Sequence, residues 1–301
     1  MGKSGCTGHG ALLARLQVHL PKLVLSPSVA LVLLFVYGFI LWTAYLSVST
    51  SRMLPTYEFA GLAQYAKLWS LPTWHLALRN LFLFALLYIA FCVGLGLLLA
   101  IALDQRIRAE GGLRALYLYP MAISFIVAGT AWKWILNPGL GLEKTVRAWG
   151  FSDFTFDWIV DPDMAIYTVV IAAIWQTSGF VMAMFLAGLR GIDSELIHAA
   201  MLDGASMVQI YRRVIIPQLR PAFLSAVIVL SHMAIKNYDL VIALTGGGPG
   251  NATELPATFM YSYTFNRNQM GVGAASAIVM LMIIASVMVP YLFAESKGGQ
   301  R

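Results

Sequence analysis

Ionisable side chains inside long apolar runs are the residues of this sequence most able to bind or react. His232, Lys236 and Asp239 follow one another at i, i+4 and i+7, so one continuous helix would place them on a single face. Charges within a membrane are costly and usually face an interior or a cavity. The alternative is a structural ion pair between Lys236 and Asp239, with the lysine reaching toward water.

A second polar group, Trp175-Gln176-Thr177, interrupts another apolar run. An indole offers an apolar face to the C–H groups of a sugar and one N–H donor, and the two following side chains can bond hydroxyl groups. At 1.5 Å per residue, Trp175 and Asn237 lie at a matched depth on the order of 23 Å. The alternative is that these polar side chains hold one helix to another. The candidate residues of a solute path are Trp175, Gln176, Thr177, Lys236, Asn237, Tyr238 and Asp239.

No catalytic or metal-binding pattern is visible in the sequence. The five histidines are scattered without an H-x-x-x-H pair, and no paired carboxylates lie inside the apolar runs. The glycine-rich stretch Thr245–Pro249 is not followed by G-K-[ST], which argues against a nucleotide-binding loop. We therefore expect a protein that is not an enzyme and that holds no metal or cofactor of its own.

The composition is typical of a membrane protein. Of the 301 residues, 59% are hydrophobic and 11% are charged, against about 25% charged residues in a soluble domain. The mean hydropathy is +0.74. The net charge of +6 does not indicate nucleic acid, because lysine and arginine also collect in the cytoplasmic loops of membrane proteins. Cys6 and Cys92 form no motif and are not expected to form a disulfide.

Six apolar runs are long enough to cross a hydrocarbon layer about 30 Å thick. They predict an all-α integral membrane protein with unbroken spans, since backbone groups in lipid must be satisfied within helices. A cytoplasmic N-terminal segment, residues 1–25, precedes the domain of residues 26–295, and a cytoplasmic tail, residues 296–301, follows it. The predicted spans are residues 28–47, 81–103, 115–134, 164–189, 221–244 and 268–294.

The basic residues predict the orientation of these spans. With six spans and the N-terminus inside, 12 lysines and arginines lie on the cytoplasmic side and 6 on the other side. Basic residues are enriched in cytoplasmic loops. Both termini and the connection between the fourth and fifth spans, residues 190–220, are therefore expected in the cytoplasm.

The 190–220 connection has the pattern of two short helices joined by a turn. Asp193 or Ser194 can cap the first helix, and Glu195 stands in its first turn, where a carboxylate suits the helix dipole. The pair Asp203-Gly204 predicts the turn. Pro217 is expected to end the second helix. The alternative is an amphipathic helix that lies on the membrane surface.

The connection resembles the EAA loop of permease subunits of ATP-binding-cassette importers, in their sugar (maltose-type) branch. Ala199-Ala200, Gly204 and Ile215-Ile216-Pro217 match the family pattern, and His198 stands where the family has glutamate. The Thr245–Pro249 stretch with Thr253 also matches sugar permeases, as does Phe59–Tyr65, with Gln64 in place of asparagine. His198 puts an ion pair at this position in question, and a histidine packed against its neighbours is the alternative.

The resemblance implies a type I importer permease fold, in which a cytoplasmic coupling helix fits a groove of an ATPase. The implied partners are a second permease subunit, two cytoplasmic ATPase copies that bind the ATP, an extracytoplasmic solute-binding protein, a sugar and membrane lipid, but no nucleic acid. The implied location is a bacterial inner membrane. The residues implied to contact the ATPase are Glu195, His198, Ala199, Ala200, Asp203, Gly204, Ala205 and Pro217.

Three other functions compete with sugar import. The same role for another solute, such as glycerol phosphate, would favour a basic pocket, and the apolar runs offer one lysine at most. A secondary transporter would often show inverted repeats and broken helices, which the sequence does not indicate. An intramembrane enzyme would need acid, base or metal-binding residues that are absent from the runs.

Overall fold

The computed structural model describes residues 22, 24–52, 56, 58–105 and 109–298. Within them the chain is helical apart from turns and one isolated β-bridge, between Ser49 and Phe59. The all-α expectation is therefore confirmed for the described residues. Of the predicted terminal segments, residues 1–21, 23 and 299–301 lie outside the described part of the chain.

Thirteen longer helices, numbered here in chain order, lie in this part of the chain, together with one short 3-10 helix at Pro249–Asn251. They are α1 Val24–Ser47, α2 Ala63–Ser70, α3 Pro72–Leu103, α4 Glu110–Ala122, α5 Phe125–Ile135, α6 Leu142–Ala148, α7 Ala165–Arg190, α8 Ser194–Leu202, α9 Met207–Gln218, α10 Arg220–Ile235, α11 Asp239–Leu244, α12 Pro256–Tyr261 and α13 Met270–Gly298. Short π-helical turns interrupt α1 and α9 and follow α12.

Four helices are long and apolar enough to cross a membrane unbroken: α1, α3, α7 and α13. They correspond to the predicted first, second, fourth and sixth spans. The second begins earlier than the predicted residue 81, because Pro72 stands at the first position of α3, where its missing amide costs nothing.

The third predicted span, residues 115–134, is not one helix. The helices α4 and α5 meet at an angle of 97°, with extended backbone at Ile123 and Ser124. Ser124 then caps α5 by accepting a hydrogen bond from the Val127 amide at 3.3 Å. The expectation of unbroken spans is wrong here, because a side-chain cap and a tertiary contact satisfy the backbone groups that the break releases.

The fifth predicted span, residues 221–244, is also divided. The helix α10 ends at Ile235, and α11 begins at Asp239 after a non-helical stretch at residues 236–238. His232 and Asp239 therefore do not share one helical face, contrary to the prediction. A bend of 62° between α9 and α10 marks the other end of this region.

The core lies between the long helices α3 and α7, and α10 packs on the same pair. Phe84, Tyr88 and Phe185 are among its largest fully buried side chains. Two glycines permit close helix contacts. A Cβ on Gly96 would lie 2.7 Å from Val181, and one on Gly179 would lie 1.8 Å from the carbonyl oxygen of Tyr117. The second contact places α4 directly against α7.

Candidate functional site

The 190–220 connection is built around a tight turn at Gly204. The last turn of α8 closes with hydrogen bonds from the Gly204 amide to the Met201 oxygen and from the Ala205 amide to the Ala200 oxygen, each 3.0 Å long. This Schellman arrangement needs a left-handed residue, and Gly204 has a φ of +77°. The structure thus has the turn that Asp203-Gly204 predicts.

Both helices of the connection carry side-chain caps. Asp193 accepts a hydrogen bond from the Glu195 amide at 2.9 Å, as predicted. Ser206 and Gln209 form a capping box, which sequence analysis missed although the Ser-x-x-Gln spacing signals it. Pro217 does not end the second helix at its own position, because it opens a last turn that continues to Gln218.

Six of the eight residues predicted to contact an ATPase are exposed. His198 is exposed, so the alternative of a histidine packed against its neighbours is wrong. Ala200 and Ala205 are half-buried because they lie against the core of the long helices. The others are exposed: Glu195, Ala199, Asp203, Gly204 and Pro217.

The 190–220 connection also exposes large apolar side chains that sequence analysis did not single out. Leu202 is 90% exposed and Val208 is 76% exposed, one on each side of the turn. The other exposed apolar members are Leu196, Met201 and Met207. A contiguous apolar surface rimmed by polar residues marks an interaction site in soluble proteins. The sequence pattern that could have identified these exposed residues is the occurrence of long apolar side chains next to the polar turn Asp203-Gly204.

The second candidate site lies at the break between α10 and α11. Lys236, Asn237, Tyr238 and Asp239 line a cavity of about 160 Å³. Its other walls are Tyr88, Phe125, Ala173, His232 and Met233, from α3, α5, α7 and α10. An adjoining cleft of about 460 Å³ shares Lys236 and Tyr238, so the break separates two openings.

The groups at this break are available to a ligand. Within the described residues neither Lys236 nor Asp239 takes part in an ion pair, and both are exposed to the cavity or its mouth. The alternative of a structural ion pair between them is therefore not what the described residues form. Tyr238 packs against Tyr261 with ring centroids 4.8 Å apart. An aromatic pair next to amide, ammonium and carboxylate groups offers both an apolar face and hydrogen bonds to a polyhydroxyl ligand.

Trp175, Gln176 and Thr177 do not line this cavity. Trp175 faces a separate apolar cleft of about 850 Å³ between α3, α4 and α7, where its ring lies 5.8 Å from that of Trp132. Gln176 and Thr177 are 1% exposed. The Gln176 Nε2 donates a hydrogen bond of 2.8 Å to the carbonyl oxygen of Ile123. The structure therefore separates the two halves of the predicted solute path, although their depths match.

A glycine-rich turn lies at the end of the helix bundle opposite to the connection. Gly246, Gly247 and Gly248 all have positive φ values, and Thr245 and Thr253 close the turn through a 2.6 Å hydroxyl contact. Asn80 of α3 donates its side-chain amide to the carbonyl oxygens of residues 252 and 254. The turn predicted from Thr245–Pro249 is thus part of a loop that is hydrogen-bonded to α3 through Asn80.

Known proteins resemble this chain over most of its length. A family model described as "Binding-protein-dependent transport system inner membrane component" matches residues 23–295. A probable ABC transporter permease protein of Pyrococcus horikoshii is 41% identical over 281 residues, which cover 93% of this chain and 96% of that protein. A xylose/arabinose import permease protein of Haloferax volcanii is 36% identical, over 81% of this chain and 77% of that protein.

A solved structure has the same fold. It is a bacterial alginate ABC transporter in complex with an alginate pentasaccharide-bound periplasmic protein, and one of its chains matches with a TM-score of 0.80. The match covers 92% of this chain and 94% of that chain at 16% identity. The likeness confirms the predicted architecture of an importer permease.

Proposed function

The chain belongs to the family of binding-protein-dependent transport system inner membrane components, and from this premise we propose that it forms half of the path through which an ATP-driven importer moves a sugar. The observation that carries the proposal is the polar break between α10 and α11, which opens into a cavity inside an otherwise apolar bundle. The chain itself does no chemistry. A second permease subunit completes the path.

The 190–220 connection is the proposed contact with the ATPase. It presents an apolar surface on both sides of the Gly204 turn, and Ile210 and Ile215 anchor its second helix in the core. A force applied to the surface therefore reaches the long helices directly. Two copies of a cytoplasmic ATPase bind the ATP, so this subunit needs no cofactor. His198 offers the ATPase a neutral or positive group in place of a carboxylate.

The orientation follows from the contact. With the connection in the cytoplasm, both termini are cytoplasmic, and the chain lies in a bacterial inner membrane surrounded by lipid. The turn at Thr245–Pro249 then faces outward, toward a solute-binding protein that delivers the sugar. The excess of basic residues on the connection side supports this arrangement.

The proposed solute site consists of Lys236, Asn237, Tyr238 and Asp239. The walls of the cavity mix aromatic, amide and charged groups of both signs. This suits a neutral polyhydroxyl ligand better than a phosphate ester, because Lys236 is the one lysine or arginine among the described lining residues and Asp239 lies beside it, so this lining has no excess of positive charge. The Haloferax volcanii relative, named a xylose/arabinose import permease protein, adds support for a sugar. Glycerol phosphate remains the competing solute, and the uptake experiment separates the two.

The test is uptake by the intact complex, purified through a tag on this chain and reconstituted in liposomes with its binding protein. Labelled xylose, arabinose, maltose and glycerol 3-phosphate are offered with and without ATP. ATP-dependent uptake of a sugar is expected. Uptake of glycerol 3-phosphate alone would overturn the sugar assignment, and the absence of any ATP-dependent uptake would overturn the transport role.

The substitution Gly204→Asp tests the coupling contact. An added Cβ at Gly204 meets no atom within 4 Å in this chain. The left-handed backbone there costs a non-glycine residue about 1–2 kcal/mol, which we expect the chain to tolerate, so the large effect of the side chain is a clash with the ATPase. Uptake should fall while the protein remains in the membrane. Gly139→Asp is the matched control, because Gly139 has a φ of +75° and equally open surroundings at the other end of the molecule. Equal uptake by both variants would contradict the coupling role.

A further inference from the structure

An ion-pair cluster lies at the base of the 190–220 connection, outside the sites described above. Arg190 is the last residue of α7, and its Nη2 lies 2.5 Å from the Glu110 Oε1. The same oxygen accepts a hydrogen bond of 2.5 Å from Arg114. Asp104 lies 4.0 Å from the Arg190 Nε. The cluster thus joins the start of α4 to the point where the connection begins.

The second helix of the connection, α9, has a longer hydrogen-bond contact with the segment that follows α3. The Gln105 Nε2 lies 3.5 Å from the hydroxyl oxygen of Tyr211 in α9. Gln105, just after α3, therefore contacts the second helix of the connection, and Glu110, at the start of α4, contacts the residue where the connection begins. Of these two contacts, only that of Glu110 is an ion pair.

The first turn of α4 has little helical stability of its own. Gly111 and Gly112 follow Glu110 directly, and each glycine costs a helix on the order of 1 kcal/mol relative to alanine. Neither glycine makes a close contact that would explain its presence. Glu110 pairs with Arg114 within α4 and with Arg190 of α7, so the Arg190 ion pair is the contact that ties this turn to α7.

The far end of α4 lies three residues before Phe125 of α5, which lines the solute cavity. There α4 stops at the break, Gln176 of α7 bonds the Ile123 carbonyl, and Phe125 at the start of α5 lines the cavity. Between the two ends, Gly179 brings α7 against the Tyr117 backbone. The helices α4 and α7 are thus joined at both ends and in close contact between them.

We propose that Arg190 and Glu110 are positioning residues that make α4 follow the 190–220 connection, so that movement of the ATPase reaches the break beside the cavity. This inference rests on the proposed function. Without the ion pair, α7 still moves with the connection, and α4 follows it only through the contacts near Tyr117 and Ile123. The first turn of α4, which contains two glycines, then lags behind. ATP hydrolysis then continues while fewer solute molecules cross.

The measurement is the ratio of sugar transported to ATP hydrolysed, with the complex in liposomes and the labelled sugar selected by the uptake panel above. Arg190→Gln and Glu110→Gln should lower this ratio, on the order of two- to thirty-fold, as contacts that link distant sites do. Co-purification of the ATPase and ATP hydrolysis without binding protein should persist in both variants. An unchanged ratio in both would overturn the proposal.

Arg114→Gln is the matched control. It removes an arginine from the same Glu110 oxygen, but its ion pair lies within α4 and does not reach the connection. Its ratio should stay near that of the wild type, and a loss equal to that of Arg190→Gln would show a local effect on α4 and overturn the proposal. The exchange Glu110→Arg with Arg190→Glu restores the pair with reversed charges. Made together with Arg114→Gln and Asp104→Asn, so that neither new charge faces a like charge, it should recover the ratio.

Two outcomes separate this inference from the proposed function. If the wild type shows no ATP-dependent uptake, the transport role fails before any variant is compared. If the wild type transports and Arg190→Gln does not assemble, Arg190→Lys keeps the charge with fewer hydrogen bonds and should give an intermediate ratio. A ratio in Arg190→Lys no higher than that in Glu110→Gln, together with no recovery by the charge exchange, would overturn the inference alone.

Discussion

The contact of Gly179 with α4 gives a prediction whose size follows from the structure. A Cβ at this position would lie 1.8 Å from the carbonyl oxygen of Tyr117 and 2.6 Å from its carbonyl carbon. To reach about 3.4 Å, an ordinary contact, α4 and α7 must separate by about 1.6 Å. The obstacle is backbone within a helix, so no side-chain rotation relieves it. Gly179→Ala should therefore strain the packing of the two helices along their whole contact.

The expected cost is at or above the upper end of the range of 1–3 kcal/mol for overpacked cores. Separation of the helices would also stretch the hydrogen bond from Gln176 to the Ile123 carbonyl, which is 2.8 Å long. A carbonyl left without its donor in an apolar surrounding adds about 1–3 kcal/mol. We expect the detergent-solubilised complex to lose several degrees of Tm, since each kcal/mol shifts Tm by about 2–4 °C in chains of comparable size.

Two glycines of α3, the exposed Gly94 and the buried Gly96, provide graded controls. A Cβ on Gly94 meets nothing within 4 Å, so Gly94→Ala should leave the Tm unchanged or raise it slightly through helix propensity. A Cβ on Gly96 would lie 2.7 Å from a Val181 methyl and 3.0 Å from the Met182 amide. Gly96→Ala should fall between the two. A Tm for Gly179→Ala equal to that of Gly94→Ala would refute the reasoning from backbone contact.

Two further predictions concern the cavity and the opposite end of the molecule. Asn237→Ala removes a hydrogen-bonding side chain from the cavity. It should weaken sugar binding by about 1–3 kcal/mol and so reduce uptake, while the ATPase still assembles with the chain. Trp175→Ala, in the separate apolar cleft, should reduce uptake less, and a larger loss for Trp175→Ala than for Asn237→Ala would contradict the assignment of the solute site. Burial raises the pKa of Glu254, against opposing contributions from Arg267 and Thr258. The folded protein therefore binds the Glu254 proton more tightly than the unfolded chain does. The free energy of unfolding falls as pH rises from the usual glutamate range through the raised pKa. Glu254→Gln should raise Tm near pH 8 but not near pH 4, and equal shifts at both would refute the sign.

The sequence predicted the membrane fold and the connection well, because both depend on local composition. A run of about 20 apolar residues is a sufficient signal for a span, and an aspartate-glycine pair between two amphipathic stretches is a sufficient signal for a turn. Gly204 adopts the left-handed conformation that its place in this pattern requires. The family model and the relatives confirm the resemblance that these residues carried.

The breaks within the third and fifth spans could not be predicted in the same way. Ile123 and Ser124 stand in an apolar run with no glycine or proline directly at the break, and the extended backbone there depends on a partner more than 50 residues away. At the other break, Lys236, Asn237 and Tyr238 form a polar interruption that fits a helical face as well as a gap. Local spacing therefore predicted one face, whereas tertiary structure places the residues on a loop beside a cavity.

Gln176 shows why a polar residue in a span is ambiguous from sequence alone. Its amide in an apolar helix and the Ile123 carbonyl at a break would each be costly without a partner. The Gln176 Nε2 donates to that carbonyl and removes its cost, whereas the Gln176 Oε1 is buried without a hydrogen-bond partner among the described residues. A polar side chain that serves a neighbouring break has the same sequence pattern as one that faces a solute. The two kinds differ in burial, and at 1% exposure Gln176 belongs to the first kind. The glutamine therefore holds the α4–α5 break in place, and it is the residue after that break, Phe125, that lines the cavity.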